Sequence, residues 1–168
     1  MGTYPGGNII RVTPTLDTSA YGDNDVLFNP VEIPNAVSSR GGVSRLIAIS
    51  YLNQNTTVLD IDLVFMQVST DLGTINAAVD ITDANAEAAY FTGHVNFDGS
   101  EHDCGLTNVK LYTASHAGNT SGKGTQLPIL LQAAGGSTSI YVAGVLRDGT
   151  PTLAADDIDL IFHIEYLG

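Results

Sequence analysis

The sequence predicts an all-β protein: a β-sandwich, jelly-roll-like, with at most one short helix. Three observations carry this prediction. Apolar and polar residues alternate with period two in many short runs, which is typical of strands with one buried face. One alternating pattern occurs twice, at residues 60–65 and 157–162. Clusters of Gly, Asn, Asp and Pro separate roughly eight to ten such runs, a spacing that favours a sandwich or jelly roll.

The repeated pattern reads Asp-Ile-Asp-Leu-Val-Phe in the first copy and Asp-Ile-Asp-Leu-Ile-Phe in the second. Alternation predicts that the aliphatic side chains point into the core, namely Ile61, Leu63, Ile158 and Leu160. The acids then face solvent, so replacing Asp62 or Asp159 with Asn is expected to have a mild effect. The two copies could be neighbouring strands, symmetry-related strands or a chance recurrence of a common strand pattern.

Two segments near the start of the chain are predicted to be extended. A first strand over residues 9–16 places Ile10, Val12 and Pro14 on one face. Residues 26–37 are apolar but contain two prolines, which cannot donate hydrogen bonds to a neighbouring strand. This segment is therefore predicted to be an edge strand or an extended connector.

The middle and end of the chain continue the strand pattern. Residues 43–52 are predicted to place Leu46, Ala48 and Ser50 on one side and Ile47, Ile49 and Tyr51 on the other. Further strands are predicted at residues 91–97, 109–113, 127–132, 139–147 and 157–167. Asp83 is expected to cap one short helix at residues 83–90.

Nothing in the chain marks a linker between domains. Residues 1–7 are rich in Gly and Pro and are predicted to form a flexible N-terminal arm that could lie along a neighbouring molecule. Residues 8–168 are predicted to form a single β-sandwich domain. No apolar stretch of about 18 residues exists to predict a transmembrane helix, and the start of the chain does not resemble a secretory signal.

The composition of the chain indicates which classes of binding partner to expect. The chain of 168 residues is 43% hydrophobic and 14% charged, with a formal net charge of −12. Binding to nucleic-acid phosphates or to an anionic membrane requires a basic surface, so neither partner is expected. High charge of one sign also keeps copies from associating non-specifically. The single cysteine, Cys104, excludes an intrachain disulfide and is expected to be a small buried hydrophobe.

Three groups of residues have a superficial resemblance to functional motifs. Residues 118–125 lack the spacing of a phosphate-binding loop, and are interpreted as an exposed loop. A polar cluster with metal-compatible side chains consists of His94, Asp98, Glu101, His102, Asp103 and Cys104. It lacks the spacing of zinc or calcium sites, so a surface loop is preferred and metal binding at residues 98–104 is left open. His163 is interpreted as solvent-facing. No catalytic, cofactor-binding or metal residue is assigned, and the protein is expected not to be an enzyme.

Several patches along the chain carry a family resemblance. They are residues 17–22 (Asp-Thr-Ser-Ala-Tyr-Gly), 25–27, 33–36, 41–42, 46–50, 61–65, 141–142, 148–152 and 160–162. In this order the chain resembles small all-β virion structural proteins of tailed bacteriophages, of the capsid decoration or cement kind. The resemblance spans most of the chain but does not cover residues 98–125.

The resemblance implies a role and a set of partners. A decoration protein binds and stabilises the lattice of the major capsid protein on the outer capsid surface of the virion, and the resemblance favours a homotrimer. Two other classes remain as alternatives. One is a receptor- or glycan-binding β-sandwich of a tail fibre or baseplate, which would need a concave patch with clustered aromatics. The other is a small hydrolase on an all-β scaffold, which would need a catalytic triad assembled in space.

Overall fold

The protein is an all-β sandwich, as predicted. The computed structural model describes residues 6–102, 104–115 and 127–167. These residues form the strands β1 (Gly7–Val12), β2 (Val26–Ile33), β3 (Val43–Asn53), β4 (Asp60–Met66), β5 (Phe91–Phe97), β6 (Lys110–Ser115), β7 (Ile129–Gln132), β8 (Ile140–Asp148) and β9 (Ile158–Tyr166). Their helices are short: α1 (Asp83–Ala89) and α2 (Gly99–His102). The sequence predicted at most one short helix, and the structure has a second helical segment, α2, which is a single turn.

The strands form two antiparallel sheets. The first sheet has the order β1-β9-β3-β6, with β7 also pairing β3, and the second has the order β2-β8-β4-β5. The pairing is nested: β1 pairs β9, β2 pairs β8, β3 pairs β6 and β7, and β4 pairs β5. The outermost strands in sequence pair with each other, and the innermost pair, β4 and β5, are consecutive antiparallel strands joined by residues 67–90. This is the strand order of a double-sheet jelly roll.

The first two strands agree with the sequence patterns in most respects. Strand β1 is regular only to Val12, but burial continues to alternate through Pro14 and Leu16. Strand β2 lies at the edge of the second sheet, which confirms the edge prediction. Its pairing with β8 shifts register on either side of Phe28, and Pro30 falls within the second irregular stretch.

The two copies of the repeat lie in different sheets and face each other across the core. Ile61, Leu63, Ile158 and Leu160 have no exposed surface, which confirms the predicted inward faces. The aromatic rings that end the two copies, Phe65 and Phe162, meet edge to face with centroids 5.9 Å apart. The copies are therefore opposing core strands and not neighbours in one sheet.

The acids of the repeat have equivalent partners in both copies. The first acid accepts a backbone N–H from a nearby turn: Asp60 from Gly99 at 2.7 Å, and Asp157 from Ala154 at 2.7 Å. The second acid pairs with an arginine of the adjacent strand: Asp62 with Arg147 at 3.2 Å, and Asp159 with Arg11. The repeat therefore specifies a local structure in which both acids are hydrogen-bond acceptors, in addition to lying on an outer face.

Strand β3 differs from its predicted faces because it contains a β-bulge. Leu46 and Ala48 pair with the consecutive residues Ile164 and His163 of β9, so Ile47 is an extra residue on β3. Even-numbered residues up to Leu46 point inward, and after the bulge Ile49 points inward instead. The prediction of two continuous faces was wrong for this strand, because an inserted residue reverses the alternation.

The outer face of the second sheet is covered by the chain itself. Residues 67–90, which include α1, lie over β8 and β4 and bury Leu72 and Ala89 against Met66, Ala143 and Val145. The N-cap of α1 is Thr82, whose hydroxyl accepts from the backbone N–H of Asn85 at 3.3 Å. The predicted cap, Asp83, is instead the first helical residue. There its negative charge interacts favourably with the positive end of the helix dipole.

The first sheet begins inside the predicted N-terminal arm. Gly7 is the first residue of β1 and pairs with Glu165, and the Gly6 carbonyl accepts a hydrogen bond from the backbone of Tyr166 at 2.9 Å. Strand β1 therefore begins at Gly7, the last residue of the predicted arm, and Gly6 is hydrogen-bonded to β9 just before it. Residues 1–5 lie outside the described residues.

Candidate functional site

The structure describes the polar cluster only in part, because the side chains of Glu101 and His102 lie outside what it describes. Among the residues it describes, no group of three or more His, Cys, Asp or Glu side chains could hold a metal ion. Cys104 is exposed, so the expectation of a buried thiol was wrong; the residue lies in the connection between α2 and β6, outside the sandwich. Asp103, His116 and residues 118–125 lie outside the described residues. Neither described helix is long and apolar enough to cross a membrane.

Part of the polar cluster has a structural role. Asp98 accepts hydrogen bonds from the backbone N–H of Ser100 at 3.0 Å and from its hydroxyl at 2.6 Å. Together with the Asp60 bond to Gly99, these contacts satisfy backbone donors at the start of α2. Asp98 therefore fixes a helical turn.

The outer face of the first sheet is the feature that stands out on the molecular surface. Strand register aligns its outward residues in four rungs across the sheet. They are Gly7, Glu165, Arg45 and Leu130; Ile9, His163, Ala48 and Ser115; Arg11, Ile161, Ser50 and Thr113; and Asp159, Leu52 and Leu111. The bulged residue Ile47 lies between the first two rungs. We call these residues, with Ile47, the neutral face.

Large apolar side chains remain exposed on the neutral face. Ile9 is 66% exposed, Leu130 is 59% exposed and Ile47 is 37% exposed. The outer face of a sandwich sheet usually carries polar residues, and contiguous exposed apolar surface marks interaction sites. The neutral face thus contrasts with the outer face of the second sheet, which residues 67–90 cover.

The charges on the neutral face cancel. Its charged side chains form two ion pairs, Arg11 with Asp159 and Arg45 with Glu165, the latter at 2.9 Å. With His163 neutral, the face contributes no net charge. The entire formal charge of −12 therefore arises from residues outside this face.

A groove runs across the neutral face beside the bulge. Two adjoining depressions, of about 440 Å³ and about 600 Å³, share Gly7, Ile47 and Ile164 in their walls. Gly7 lies in the walls of both depressions, and a Cβ at this position would lie 2.9 Å from the carbonyl oxygen of Ile164, so a larger residue would require the backbone to shift. His163 lines one depression, and the Arg45–Glu165 pair lines the other. This places His163 on the outer face, as the sequence indicated, but within an apolar groove.

Asp159 is the most buried charge on the neutral face, with 4% of its surface exposed. It accepts hydrogen bonds from Arg11 and Thr13. The hydrogen bond from Arg11 is the largest influence and lowers the pKa of Asp159; burial opposes this, and the Thr13 bond and the Arg11 charge lower the pKa further. The native protein therefore favours the ionised carboxylate.

Asp159→Asn is expected to destabilise the fold more than Asp62→Asn, which corrects the expectation that both changes are mild. The loss at pH 7 should be about 1.5 kcal/mol, near the lower end for hydrogen bonds to a charged group, because Arg11 is largely exposed. Since the pKa of Asp159 is lowered on folding, its contribution is present above about pH 4 and is lost as pH falls below that value. Urea unfolding of wild type and variant should therefore give free energies that converge as pH falls below about 4. A difference that is constant with pH would contradict this role.

The first patch of the family resemblance has a structural explanation. The hydroxyl of Tyr21 is buried; it donates to the Leu27 carbonyl at 3.1 Å and accepts from the Asp17 backbone at 2.7 Å. Asp17 itself accepts from the Ser19 backbone, and Asp25 accepts from the Gly22 backbone at 2.6 Å. Desolvation raises the pKa of Tyr21, and hydrogen bonds from Ser19 and Asn76 lower the pKa of Asp17. These residues fix the connection from β1 to β2 and assemble no reactive site.

The comparisons with known proteins carry no argument about the fold or the function of this chain. No protein-family model matches the chain, and no curated protein sequence matches it. Among solved structures, a chain from Desmodium yellow mottle tymovirus aligns with 98% of this chain and 82% of its own length. The identity is 12% and the TM-score is 0.29, so this similarity carries no argument about function. The jelly-roll assignment rests on the strand order and pairing described above.

The neutral face was not predicted from the sequence as a site. Its residues come from five strands that are spread along the chain, and Ile47 reaches the surface because of the bulge. One signal was present: the two arginines Arg11 and Arg45 each lie within a predicted strand of a strongly acidic chain. In such a chain, arginines on strands are candidates for local charge neutralisation.

Proposed function

We propose that this protein is a structural component of a tailed-phage virion, a capsid decoration or cement protein that binds and stabilises the lattice of the major capsid protein. The observation that carries the proposal is the uncovered neutral face on a jelly-roll domain. It is a surface suited to protein contacts in a chain whose remaining surface is acidic. The virion role itself comes from the sequence resemblance, since jelly rolls also occur in lectins and other classes.

The proposed mechanism is mechanical. Each copy bridges neighbouring capsid subunits on the outer surface, and the buried interface opposes the outward pressure of packaged DNA. An interface of about 800 Å² per partner is sufficient for specific attachment. Many copies on one lattice act in parallel, so modest affinity per copy produces a large total stabilisation. The acidic surface would face solvent or a basic region of the lattice. The proposal involves no substrate turnover and no cofactor.

Adding the purified protein to phage capsids that lack it should produce saturable co-sedimentation, with a fixed number of copies for each capsid. Capsids saturated with the protein should release DNA at a higher temperature than undecorated capsids, because the added interfaces must break before the shell opens. The matched control is Gly136→Ala, a loop change with no atom near the added methyl group. It should bind as the wild type does. Absence of binding, or binding without a shift in the release temperature, would contradict the proposal.

A specific observation favours one alternative. Tyr90 and Phe91 are adjacent exposed aromatic residues, at 63% and 42% exposure, next to the exposed Val68. Exposed aromatic rings suit the receptor- or glycan-binding module of a tail fibre or baseplate. The described walls of the groove on the neutral face contain no Phe, Tyr or Trp side chain, so Tyr90 and Phe91 lie on a separate surface. Location at the tail tip in virion images, together with glycan binding that is lost in Tyr90→Ala, would favour this alternative over the capsid role.

A further inference from the structure

We propose that the neutral face binds a second copy of this chain, face to face. The inference goes beyond the decoration role and can be tested on the isolated protein without a capsid. It rests on the charge distribution, the exposed apolar residues and the size of the face.

Charge distinguishes a second copy from other occupants. Two molecules that each carry −12 repel wherever their acidic surfaces meet. A different partner can bury this face only if it presents a neutral apolar surface of its own, whereas a second copy always presents one. A second copy can approach closely only where both surfaces have no net charge, and the neutral face meets this condition. Its internal ion pairs leave no charge unpaired when the face becomes buried.

The geometry is compatible with a two-fold contact. In such a contact the same patch is used on both subunits, and exposed apolar residues such as Ile9, Leu130 and Ile47 would pack against their counterparts. Arg45 and Glu165 lie beside the groove and could exchange partners across the two-fold axis while all charges remain paired. A contact of this kind produces a dimer, in contrast to the trimer that the family resemblance favours.

The size of the face predicts a weak but specific dimer. Four strands spaced by about 4.8 Å and four rungs spaced by about 6.8 Å give a flat area of about 500 Å². The relief of the side chains increases this area towards the roughly 600–800 Å² per partner that specific interfaces bury.

Sedimentation velocity of the full chain over about 1–200 µM tests the inference. The wild type should form a dimer whose dissociation constant decreases as NaCl rises from about 50 to 500 mM, because salt screens the repulsion between acidic surfaces. Ile9→Asp should raise the dissociation constant by about tenfold or more, since it places like charges opposite each other. Leu130→Ser should raise it without adding charge. The control is Val79→Asp, which adds the same charge at a residue that is 40% exposed and lies over the second sheet.

Each outcome bears on the proposal. Unchanged thermal unfolding of the two face variants, with weakened association, supports it. A wild-type monomer throughout, a trimer, or a dimer equally affected by Val79→Asp would overturn it. If the wild type is monomeric and deletion of residues 2–5 produces a dimer, the N-terminal segment covers the face, and the second copy is excluded as its occupant. Dimerisation is measured here without capsids, so its failure is distinguishable from a failure of capsid binding.

Discussion

Leu160→Asp should leave the protein unfolded or destabilised by more than about 5 kcal/mol. Leu160 has no exposed surface and lies on the inner face of β9, in the same core as Leu63 of the opposing strand. Truncating a buried leucine costs about 2–5 kcal/mol, and an unpaired buried carboxylate adds several more. The total approaches the whole stability of a domain, about 5–15 kcal/mol.

Three other variants test whether the buried charge causes the loss of stability in Leu160→Asp. Leu63→Asp should be equally damaging, because it is the equivalent residue in the other copy of the repeat. Leu160→Met should cost less than about 1.5 kcal/mol, since it preserves volume and polarity. Val68→Asp is the surface control, because Val68 is 41% exposed, and should change stability by no more than about 0.5 kcal/mol. Circular dichroism with urea unfolding measures all four; similar losses for Leu160→Asp and Val68→Asp would contradict the assigned faces.

Gly144→Ala should destabilise the protein by about 3 kcal/mol, at the upper end of the cost of overpacking a core. Gly144 lies in β8 opposite Phe28 of β2 and Leu63 of β4. A Cβ at Gly144 would lie 2.3 Å from Cε1 of Phe28, and other atoms of the same ring lie within 2.8 Å. The ring is buried at 1% exposure, so it cannot move aside without disturbing the core.

Two further variants identify the cause of this loss. Gly136→Ala is the matched control, since nothing lies within 4 Å of the added methyl group, and it should be close to neutral. Phe28→Leu should be less damaging in the Gly144→Ala background than in the wild type, because the smaller side chain makes room for the methyl group. Thermal unfolding of the single and double variants gives the coupling energy. If the stability losses of Gly144→Ala and Phe28→Leu simply add, contact with the Phe28 ring is not the reason that an alanine at residue 144 destabilises the protein.

The local pattern predicted the secondary structure well, and it failed where a residue was inserted. The inward residues of β4 and β9, the edge position of β2 and the short helix near residues 83–90 all followed from residues close together in sequence. The faces of β3 did not, because its residues are apolar on both sides of Ile47 and no change in pattern marks the bulge. A bulge is fixed by the strands that pair with it, and those strands lie more than 60 residues further along the chain.

The acids of the repeat show the same limit for the candidate site. Alternation correctly placed Asp159 on an outer face, yet it predicted exposure. The residue is buried because Arg11 and Thr13, at the other end of the chain, come to lie beside it. Cys104 shows the reverse error, because hydrophobic character alone predicted burial for a residue that lies in an exposed connection. Burial depends on which segments pack together, and composition does not specify this.

The sequence by itself determined the fold class, the inward residues of the repeated strands and the acidic character of the chain. These properties depend on period-two alternation and on charge, which are local or additive along the chain. The tertiary structure decided the nested jelly-roll pairing, the equivalence of the acids in the two repeats and the neutral face. These properties require strands from both ends of the chain to meet, so that Arg11 and Arg45 cancel the charges of Asp159 and Glu165 while residues 67–90 cover the opposite sheet.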